Sequence, residues 1–442
     1  MAGRIHPSST HACTMSPAHV AITGLGAVSP HGVGTDALWD GLLAGRSCAA
    51  PITRFDASGH RVRFACEVPG DLSDRLPRRL QRQTDPFARY ALIAAEEALV
   101  HAGLLTPDPQ AVRHPVEGVD ADRVAVVIAS GAGGIDEITT QHQRLLADGP
   151  DRVRPYLSIA MPLNMAAGQV AMRHGLRGPA SAVVSACASA ADAIGTGLDL
   201  LRAGRADVAV VGGTEAAINP LLLAGFDAAG AMSRRNDDPA VASRPFDVDR
   251  DGFVAGEGAA VLVLETAEHA TARGAAPIAW LAGYGASNDA LDPSSPAPDG
   301  EGAVRAMRLA LADAGLGPGD IDHVNAHATS TPVGDLAEAT AMATVFGDHR
   351  PAVTAPKSSF GHLMGAAGAI EAVVTVQALH HGVVPATLNT VHQDPACMVD
   401  LVLGHPREGV LRAAMSSSFG FGGHNAVLVV TSAAHDLHER DR

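Results

Sequence analysis

Short apolar runs alternate with segments of helical periodicity along most of the chain. The stretch HVAITGLGAVSP (19–30) is typical of a strand that enters a glycine turn, and DRVAVVIASGAGG (122–134) is typical of a buried strand that enters a glycine-rich loop. Between them, residues 83–104 have apolar positions at helical spacing and a glycine stop, which predicts a helix. Strands that alternate with helices predict an α/β fold whose largely parallel sheets are covered by helices on both faces.

Two segments, one in each half of the chain, share one order of elements. Residues 180–213 are predicted as strand, helix and strand, and residues 352–387 as a strand, a polar junction and an Ala/Gly-rich helix. This repeat indicates an internally duplicated fold, with an N-terminal half over residues 19–273 and a C-terminal half over residues 274–433. Residues 1–18 and 434–442 are predicted to be flexible tails.

Composition narrows the range of partners. The chain is 47% hydrophobic but only 3% aromatic, which suits close packing of helices and strands on small side chains. Its formal charge of −15 disfavours nucleic acid as a partner. Apolar stretches are interrupted well before the ~18 residues of a membrane span, and the first residues lack the apolar core of a signal peptide. We therefore expect a cytoplasmic protein without membrane contact.

The five cysteines are scattered, at positions 13, 48, 66, 187 and 397, and none belongs to a CxxC pair. Their spacing argues against a disulfide framework and against a structural zinc site. Cys187, in VVSACASA (183–190), follows a β-branched run and precedes a helix whose apolar stripe comprises positions 190, 191, 194, 198 and 201. Taken alone, Cys187 is more typical of a small buried hydrophobe than of a nucleophile.

Two histidines and a buried charge pair strengthen the catalytic interpretation of Cys187. His327 precedes three hydroxyl residues, which suit either the binding of a polar ligand or a helix N-cap. In APKSSFGHLMGAAGAIEA (355–372), Lys357 and Glu371 lie on an apolar element, where they are costly unless paired. We therefore predict an ion pair that orients His362.

A glycine-rich loop, SSSFGFGGHN (416–425), can bring backbone N–H groups close to a substrate oxygen, with Phe421 as a movable plug. A helix N-terminus lowers the pKa of a thiol and favours the thiolate of Cys187. Two imidazoles can polarise a carbonyl or assist the loss of a carboxylate. Together, the cysteine, the two histidines and the loop predict acyl chemistry.

Three other patterns carry less information. The segment RLPRRLQRQ (75–83) is either a solvated helix face or a docking site for an acidic partner, and the sequence leaves both open. The segment ITGLGAVSPHG (22–32) lacks the third glycine of a dinucleotide-binding turn. DVDRDGFVAGEG (247–258) has glycine where a calcium loop needs its last glutamate. Neither of the last two predicts a cofactor or metal site.

The chain resembles the elongating β-ketoacyl-acyl-carrier-protein synthases, of the synthase I/II type, among the thiolase-fold condensing enzymes. The resemblance covers residues 19–432 and rests on SACAS around Cys187, SRPFDVDRDGFVAGEGAAVLVLE (243–265), NAHATSTPVGD, PKSSFGHLMGAAGAIE and SSFGFGGHN. It implies a duplicated thiolase-like α/β fold, layered α-β-α-β-α, with two mixed, mainly parallel sheets. It also implies an acyltransferase.

The resemblance assigns a role to each candidate residue. Cys187 would take an acyl group from a carrier-protein thioester, and His327 and His362 would promote decarboxylation of a malonyl unit and stabilise its enolate. Lys357 and Glu371 would orient the histidine site. Backbone N–H groups of Cys187 and Phe421 would form an oxyanion hole. The predicted substrate-binding residues are Thr329, Thr331, Phe226, Phe421, Ala132 and Gly422.

The implied partner is an acyl-carrier protein, loaded with acyl or malonyl groups, that docks on Arg78, Arg79 and Arg82. No metal or organic cofactor is expected beyond the phosphopantetheine arm of that partner. We expect a homodimer, with a heterodimer with a chain-length subunit as the alternative.

The expected pathway is fatty-acid elongation, and the alternative is the ketosynthase of a type II polyketide pathway. A non-condensing, chain-length-type subunit would lack the nucleophile, so the retained Cys187 argues against it. Ala190 and Ala328 stand where the family usually has glycine. Ala132 stands where a bulkier residue often lines the acyl pocket, from which we hypothesise access for longer or unusual acyl chains.

Overall fold

The computed structural model describes residues 20–106, 115 and 118–434. The predicted tail over 1–18 and all of the predicted tail over 434–442 except Ala434 therefore lie outside the described residues. The strands are β1 Val20–Ser29, β2 Gly32–Val33, β3 Ala50–Pro51, β4 Phe64–Ala65, β5 Val124–Ala129, β6 Ala180–Ser181, β7 Val208–Glu215, β8 Gly258–Thr266, β9 Ala279–Asn288, β10 His323–Asn325, β11 Ala352–Thr354, β12 Val383–Val384, β13 Asp400–Leu401, β14 Arg407–Glu408, β15 Ala413–Gly420 and β16 His424–Ser432. The helices are α1 Thr35–Leu43, α2 Arg78–Gln83, α3 Pro86–His101, α4 Ile135–Asp148, α5 Leu157–Ala160, α6 Met165–His174, α7 Ser189–Arg202, α8 Pro220–Ala228, α9 Ala267–Ala272, α10 Glu301–Ala314, α11 Pro332–Phe346, α12 Lys357–Phe360 and α13 Ala367–His381.

The two halves of the chain repeat one sheet topology. The N-terminal half has the strand order β6-β5-β7-β8-β1, and the C-terminal half has the order β11-β10-β15-β16-β9 with β13 as an additional edge strand beside β11. The second strand of each order, β5 or β10, is parallel to both of its neighbours. The fifth strand, β1 or β9, is antiparallel to both of its neighbours in the sheet. The predicted duplication is therefore confirmed. The predicted boundary at residues 273/274 falls between α9 and β9.

Two details of the sheets differ from the expectation. The two sheets join edge to edge, because β1 pairs with β9 through Val20, Ala21 and Ile22. Antiparallel pairing is also more extensive than predicted. In the C-terminal half the reason is that β15 and β16 are joined by the three-residue loop 421–423, and such a short loop permits only an antiparallel hairpin.

Helices cover both faces of each sheet and meet in the middle. Helices α7 and α13 pack against each other between the halves, and α13 is buried throughout Ala367–Leu379. Helices α3 and α6 pack on the outer face of the N-terminal half, and α10 packs on that of the C-terminal half with α11 beside it. This is the predicted α-β-α-β-α layering. A Cβ on Gly195 of α7 would lie 2.6 Å from the Tyr284 ring, so small residues are required where these layers touch.

The predicted strand before Cys187 is shorter than expected. Strand β6 comprises only Ala180 and Ser181 and pairs with β5 at the sheet edge. The chain then turns through a 3₁₀ segment, Ala186–Ala188, into α7. Among the described residues, no helix has the length and apolar character needed to cross a membrane.

Candidate active site

Cys187 lies in the tight turn at the N-terminus of α7. Ala186 has a φ of +51°, a left-handed conformation that is costly for a residue with a Cβ. Ser189 holds this turn closed, because its hydroxyl accepts from the Ser185 N–H at 2.8 Å and donates to the Ala186 carbonyl at 2.6 Å. The thiol is thereby presented at the helix start with its side chain partly exposed.

His362 faces this thiol, with its Nε2 atom 2.9 Å from the Cys187 sulfur. Its backbone is fixed on both sides, since its N–H donates to the Val254 carbonyl at 2.7 Å and its carbonyl accepts from the Gly256 N–H at 2.9 Å. The Phe253 ring packs edge-on against the imidazole at 5.6 Å. Nδ1 of His362 is buried without a hydrogen-bond partner in the described part of the chain. The contact of Nε2 with the thiol therefore decides the tautomer of His362, and when the thiol donates, the ring proton is on Nδ1.

His327 completes the triad from the end of β10, and its ring lies 5.4 Å from that of His362 in an edge-to-face arrangement. The carboxylate of Glu338, on α11, accepts from the backbone N–H groups of His327 and Ala328 at 2.8 and 2.7 Å. Ala328 needs this restraint because its φ is +23°. Burial raises the pKa of Glu338, and the two backbone hydrogen bonds, one accepted at each carboxylate oxygen, oppose that rise.

Lys357 and Glu371 form the predicted ion pair, with side chains that are 1% and 0% exposed. The pair orients a different histidine from the one expected. Nζ of Lys357 lies 3.3 Å from Nδ1 of His327 and donates to the His327 carbonyl at 2.6 Å, whereas no hydrogen bond to His362 is present. Because an ammonium only donates, Nδ1 of His327 accepts and the ring proton is on Nε2.

Burial dominates the electrostatics of the triad. It lowers the pKa of both His327 and His362 well below the usual value, and the Lys357 ammonium lowers both further, so both imidazoles are neutral at pH 7. Burial also raises the pKa of the Cys187 thiol to about 12, and Lys357 and the Phe421 backbone N–H offset only part of this rise. Burial therefore opposes the thiolate that the helix start was expected to favour.

The ligand atoms of Cys187, His327 and His362 all lie within 4.8 Å of one another, a spacing that could also hold a metal ion. Thiolate and imidazole are ligands that zinc accepts. The proposed acyl chemistry does not use a metal ion at this position. The expectation that no metal or organic cofactor is needed remains a prediction.

The glycine-rich loop closes over the nucleophile between β15 and β16. A Cβ on Gly420 would lie 2.7 Å from the Ser185 carbonyl and 2.9 Å from the Cys187 nitrogen, so only glycine permits this approach. The Phe421 N–H faces the sulfur, and its side chain is 42% exposed. Gly422, at a φ of +86°, donates its N–H to the Pro293 carbonyl at 2.7 Å. The loop therefore forms a rim beside the thiol.

Four other predicted substrate-binding residues lie around this centre. Thr329 and Thr331 are partly exposed beside His327, with their hydroxyls 3.1 Å apart, and the Thr331 hydroxyl does not cap α11. Phe226 packs edge-on against Phe253 at 5.5 Å, and through it adjoins His362. Ala132 donates its N–H to the Glu215 carboxylate at 3.1 Å. Their substrate-binding roles remain predictions.

The predicted docking residues Arg78, Arg79 and Arg82 are exposed on α2. The Arg82 carbonyl accepts from the Arg154 side chain, whose guanidinium is also paired with Glu137 at 2.8 Å. The basic segment is thus available to a partner in solution.

Three residues that support the site were missed by the sequence analysis, namely Glu338, Glu215 and Phe253. Glu215 is fully buried and accepts from the N–H groups of Gly131 and Gly365 at 2.7 and 3.0 Å, which ties the Ala132 loop to the segment after His362. Glu338 and Glu215 carry the signal that identified Glu371, an acidic residue on an apolar element. Phe253 carries no such signal, because its contacts come from distant segments.

Comparison with known proteins places this geometry in a family. The family models described as "Beta-ketoacyl synthase, N-terminal domain" and "Beta-ketoacyl synthase, C-terminal domain" match residues 18–270 and 278–391. The 3-oxoacyl-[acyl-carrier-protein] synthase 2 of Synechocystis sp. is 44% identical over 412 residues, which cover 92% of this chain and 97% of that protein.

Solved structures match equally broadly. The ishigamide ketosynthase/chain length factor is 36% identical, with a TM-score of 0.85 and coverage of 94% of this chain and 99% of that one. A type II polyketide synthase acyl-carrier protein in complex with its ketosynthase is matched with 31% identity, a TM-score of 0.84, and coverage of 94% and 100%.

Proposed function

The chain belongs to the β-ketoacyl synthase family, and on that premise we propose that it condenses an acyl group with malonyl-acyl-carrier protein in fatty-acid elongation. The observation that carries the proposal is the contact of 2.9 Å between the Cys187 sulfur and Nε2 of His362, with His327 as the third corner. A thiol beside a neutral imidazole, at a helix start and under a glycine-rich loop, suits acyl transfer through a covalent intermediate.

In the first half-reaction, Cys187 attacks the carbonyl of an acyl thioester. The thiol proton moves to Nε2 of His362 as the S–C bond forms. The C–S bond to the carrier arm then breaks, and the leaving thiolate takes that proton. The oxyanion of the tetrahedral intermediate is stabilised by backbone N–H groups of Cys187 and Phe421 at the helix start.

In the second half-reaction, a malonyl thioester replaces the released carrier arm. The Nε2–H of His327 donates to the thioester oxygen, with His362 beside it. The C–C bond to the carboxylate breaks, CO₂ leaves, and the electron pair remains as an enolate held by the imidazoles. The enolate carbon attacks the acyl-Cys187 carbonyl, the S–C bond breaks, and the sulfur regains a proton from solvent through His362.

The acidic partner of this reaction is an acyl-carrier protein, which we propose docks on Arg78, Arg79 and Arg82. Their exposure on an otherwise acidic protein supports this assignment, as does the carrier-protein complex among the structural neighbours. Arg→Glu changes at these three positions are expected to raise KM for malonyl-carrier protein but not for a small malonyl thioester. Arg308→Glu, at an exposed position on α10, is the matched control.

We propose that two copies associate through the edge strand β6. Within the described structure β6 pairs only with β5, so its other edge is free. Met172 on α6, which packs against β6, and Val184 just after β6 are 63% and 55% exposed, so apolar side chains flank this free edge. Val184→Lys is expected to yield monomers in analytical ultracentrifugation, and an unchanged mass would contradict this interface. Association of the wild type with a chain-length subunit would support the heterodimer instead.

Intact-mass analysis tests the proposed chemistry. Incubation with an acyl-carrier-protein thioester is expected to add one acyl group to the wild type and none to Cys187→Ala, and malonyl-carrier protein should then remove it as a β-ketoacyl product. An adduct that persists in Cys187→Ala would refute the assignment.

A series of acyl lengths separates fatty-acid elongation from polyketide synthesis. The ketosynthases among the structural neighbours support polyketide synthesis as the alternative. Ala132→Ile should shift the preference towards shorter chains if Ala132 lines the acyl pocket.

A further inference from the structure

The residue two positions before the nucleophile is tied to the other half of the protein. Ser185 is 5% exposed, and its hydroxyl donates to the carboxylate of Asp192 in the first turn of α7. The second oxygen of that carboxylate accepts from the Tyr284 hydroxyl at 2.6 Å. Tyr284 lies on β9, in the half that carries both catalytic histidines. Two hydrogen bonds that share one carboxylate therefore join the turn before Cys187 to the half that supplies its base.

Tyr284 is itself firmly anchored between α7 and the C-terminal half. Its N–H donates to the Asp313 carboxylate at 2.9 Å, and the same carboxylate accepts two hydrogen bonds from Arg202 at 2.9 and 2.8 Å. Arg202 is the last residue of α7. The Tyr284 ring lies against Gly195 in the middle of that helix, where a Cβ would come within 2.6 Å of it. Helix α7 is thus held against β9 at its start, its middle and its end.

The turn that Asp192 restrains has a strained residue at its centre. Ala186, directly before the thiol residue, has a φ of +51°, which is costly for a residue with a Cβ. Ser189 closes the turn, but both of its hydrogen bonds stay within the turn and the start of α7. They fix the shape of the turn and not its place relative to the histidines. Contacts with the C-terminal half set that place, and the bond between Asp192 and Tyr284 is such a contact.

We propose that Asp192 and Tyr284 are positioning residues, which hold the nucleophile at its distance from Nε2 of His362. This inference rests on the proposed function, in which the thiol proton crosses that contact of 2.9 Å. The two residues act through Ser185 and the turn that follows it. Their effect is expected to be large, because a displacement of about 1 Å can cost about 10²-fold in rate. Decarboxylation uses the histidines and needs no thiol, so it should not depend on this pair.

The alternative is that the pair only stabilises the fold. An acidic residue in the first turn of a helix is favourable beside the helix dipole, and a partly buried tyrosine hydroxyl needs a partner. This alternative predicts that removal of the pair lowers both half-reactions together, in proportion to the folded protein that is lost. The positioning role predicts that acylation slows and decarboxylation does not.

Tyr284→Phe separates the two interpretations, since it removes the hydroxyl and keeps the ring against Gly195. Acylation by an acyl-carrier-protein thioester, followed by intact mass, is expected to slow about tenfold. Release of CO₂ from malonyl-carrier protein, and KM for both carrier proteins, should stay within about twofold of the wild type. Tyr90→Phe is the matched control, because it removes another buried hydroxyl, 2.9 Å from Arg54 on a different helix, and should change neither step by more than about twofold. Equal slowing of both steps, or an unchanged acylation rate, would overturn the positioning role.

Two changes at Asp192 distinguish its hydrogen bonds from its charge. Asp192→Asn keeps an oxygen that accepts from Tyr284 and offers an amide to Ser185, so acylation should stay within about threefold of the wild type. Asp192→Ala removes both bonds and should slow acylation by at least about tenfold. Because both residues act through one carboxylate, the double variant Asp192→Ala/Tyr284→Phe should be no slower than Asp192→Ala alone. Losses that multiply in the double variant would show independent effects and would overturn the pair.

Alkylation keeps this inference distinct from the proposed function. Iodoacetamide needs no carrier protein: the Cys187 sulfur forms a bond to the methylene carbon, iodide leaves, and the thiol proton passes to His362. Peptide mass analysis at pH 7 should show labelling of Cys187 about tenfold slower in Tyr284→Phe than in the wild type or Tyr90→Phe. If no carrier-protein thioester acylates the wild type, the proposed function fails, while slower alkylation still supports the positioning role. Equal alkylation rates in the three proteins would overturn it.

Discussion

Replacing Glu371 by glutamine is expected to separate the two half-reactions of the enzyme. The substitution keeps the shape of the side chain and removes its charge, while Lys357, 1% exposed, stays in place. Loss of one partner from a buried ion pair costs about 3–5 kcal/mol, because the other charge is left without compensation. The uncompensated ammonium is then no longer held in place by a carboxylate.

Loss of that carboxylate changes His327. Nζ of Lys357 lies 3.3 Å from Nδ1 of His327, and without Glu371 it is no longer fixed at that distance. The Nε2–H tautomer of His327 is then no longer enforced, so the malonyl carbonyl loses a preorganised donor. We expect decarboxylation to slow by about 10²-fold, the effect of removing one such donor. Acyl transfer to Cys187, which uses His362, should change by less than about threefold.

Two assays follow the two steps in the same protein. Intact mass reports acylation of Cys187, and release of CO₂ from malonyl-carrier protein reports decarboxylation. Urea unfolding measures stability, and the double variant Lys357→Met/Glu371→Gln should recover at least about 2 kcal/mol without recovering decarboxylation. Equal losses in both half-reactions would refute the role of Lys357 through His327. An unfolding free energy within about 1 kcal/mol of the wild type would refute the buried pair.

Three further substitutions test the supports of the site and of the fold. Glu338→Gln leaves one acceptor oxygen for two backbone N–H groups, so kcat should fall about tenfold with KM unchanged, and an unchanged kcat would contradict the role of Glu338. Ala328→Gly relieves a φ of +23° and should raise the unfolding free energy by about 1 kcal/mol, whereas a lower melting temperature would contradict the strain. Burial raises the pKa of Glu265, but hydrogen bonds, led by the one from Arg273, lower it from 4.5 to about 2. The contribution of Glu265 to the free energy of unfolding is therefore complete above pH 4.5 and is lost as the pH falls towards 2. Glu265→Gln should therefore cost about 3 kcal/mol at pH 7 and flatten the decline in stability between pH 5 and 3, and a decline as steep as that of the wild type would contradict the network.

Much of the fold followed from local pattern. The apolar positions after Cys187 are all buried on one face of α7, as helical periodicity predicts. The second strand–junction–helix unit appears as β11, α12 and α13, in register with the predicted duplication. The strand before Cys187 is shorter than predicted, because only Ala180 and Ser181 pair with β5 and the β-branched residues Val183 and Val184 lie beyond that pairing. There, pairing with the neighbouring strand decides the outcome, and not β-propensity.

The residue types of the site could also be predicted, because a buried Lys and Glu, two histidines and one cysteine beside small residues are chemically conspicuous in sequence. Which of these residues contact one another could not be predicted from the sequence. The pairing of Lys357 with His327, and not with the nearer residue in sequence, depends on how β10 and α12 meet across the C-terminal half. Hydrogen-bond partners are set by distances between segments, which composition and periodicity do not contain.

The sequence by itself thus determined the alternation of elements, their duplication, the nucleophile and the residues available to assist it. The tertiary structure alone decided the desolvation of the Cys187 thiol, which raises the pKa of that thiol. It also decided the support of His327 by Glu338. The physical reason is the same in each case: desolvation and contacts between distant segments exist only when the layers have packed together.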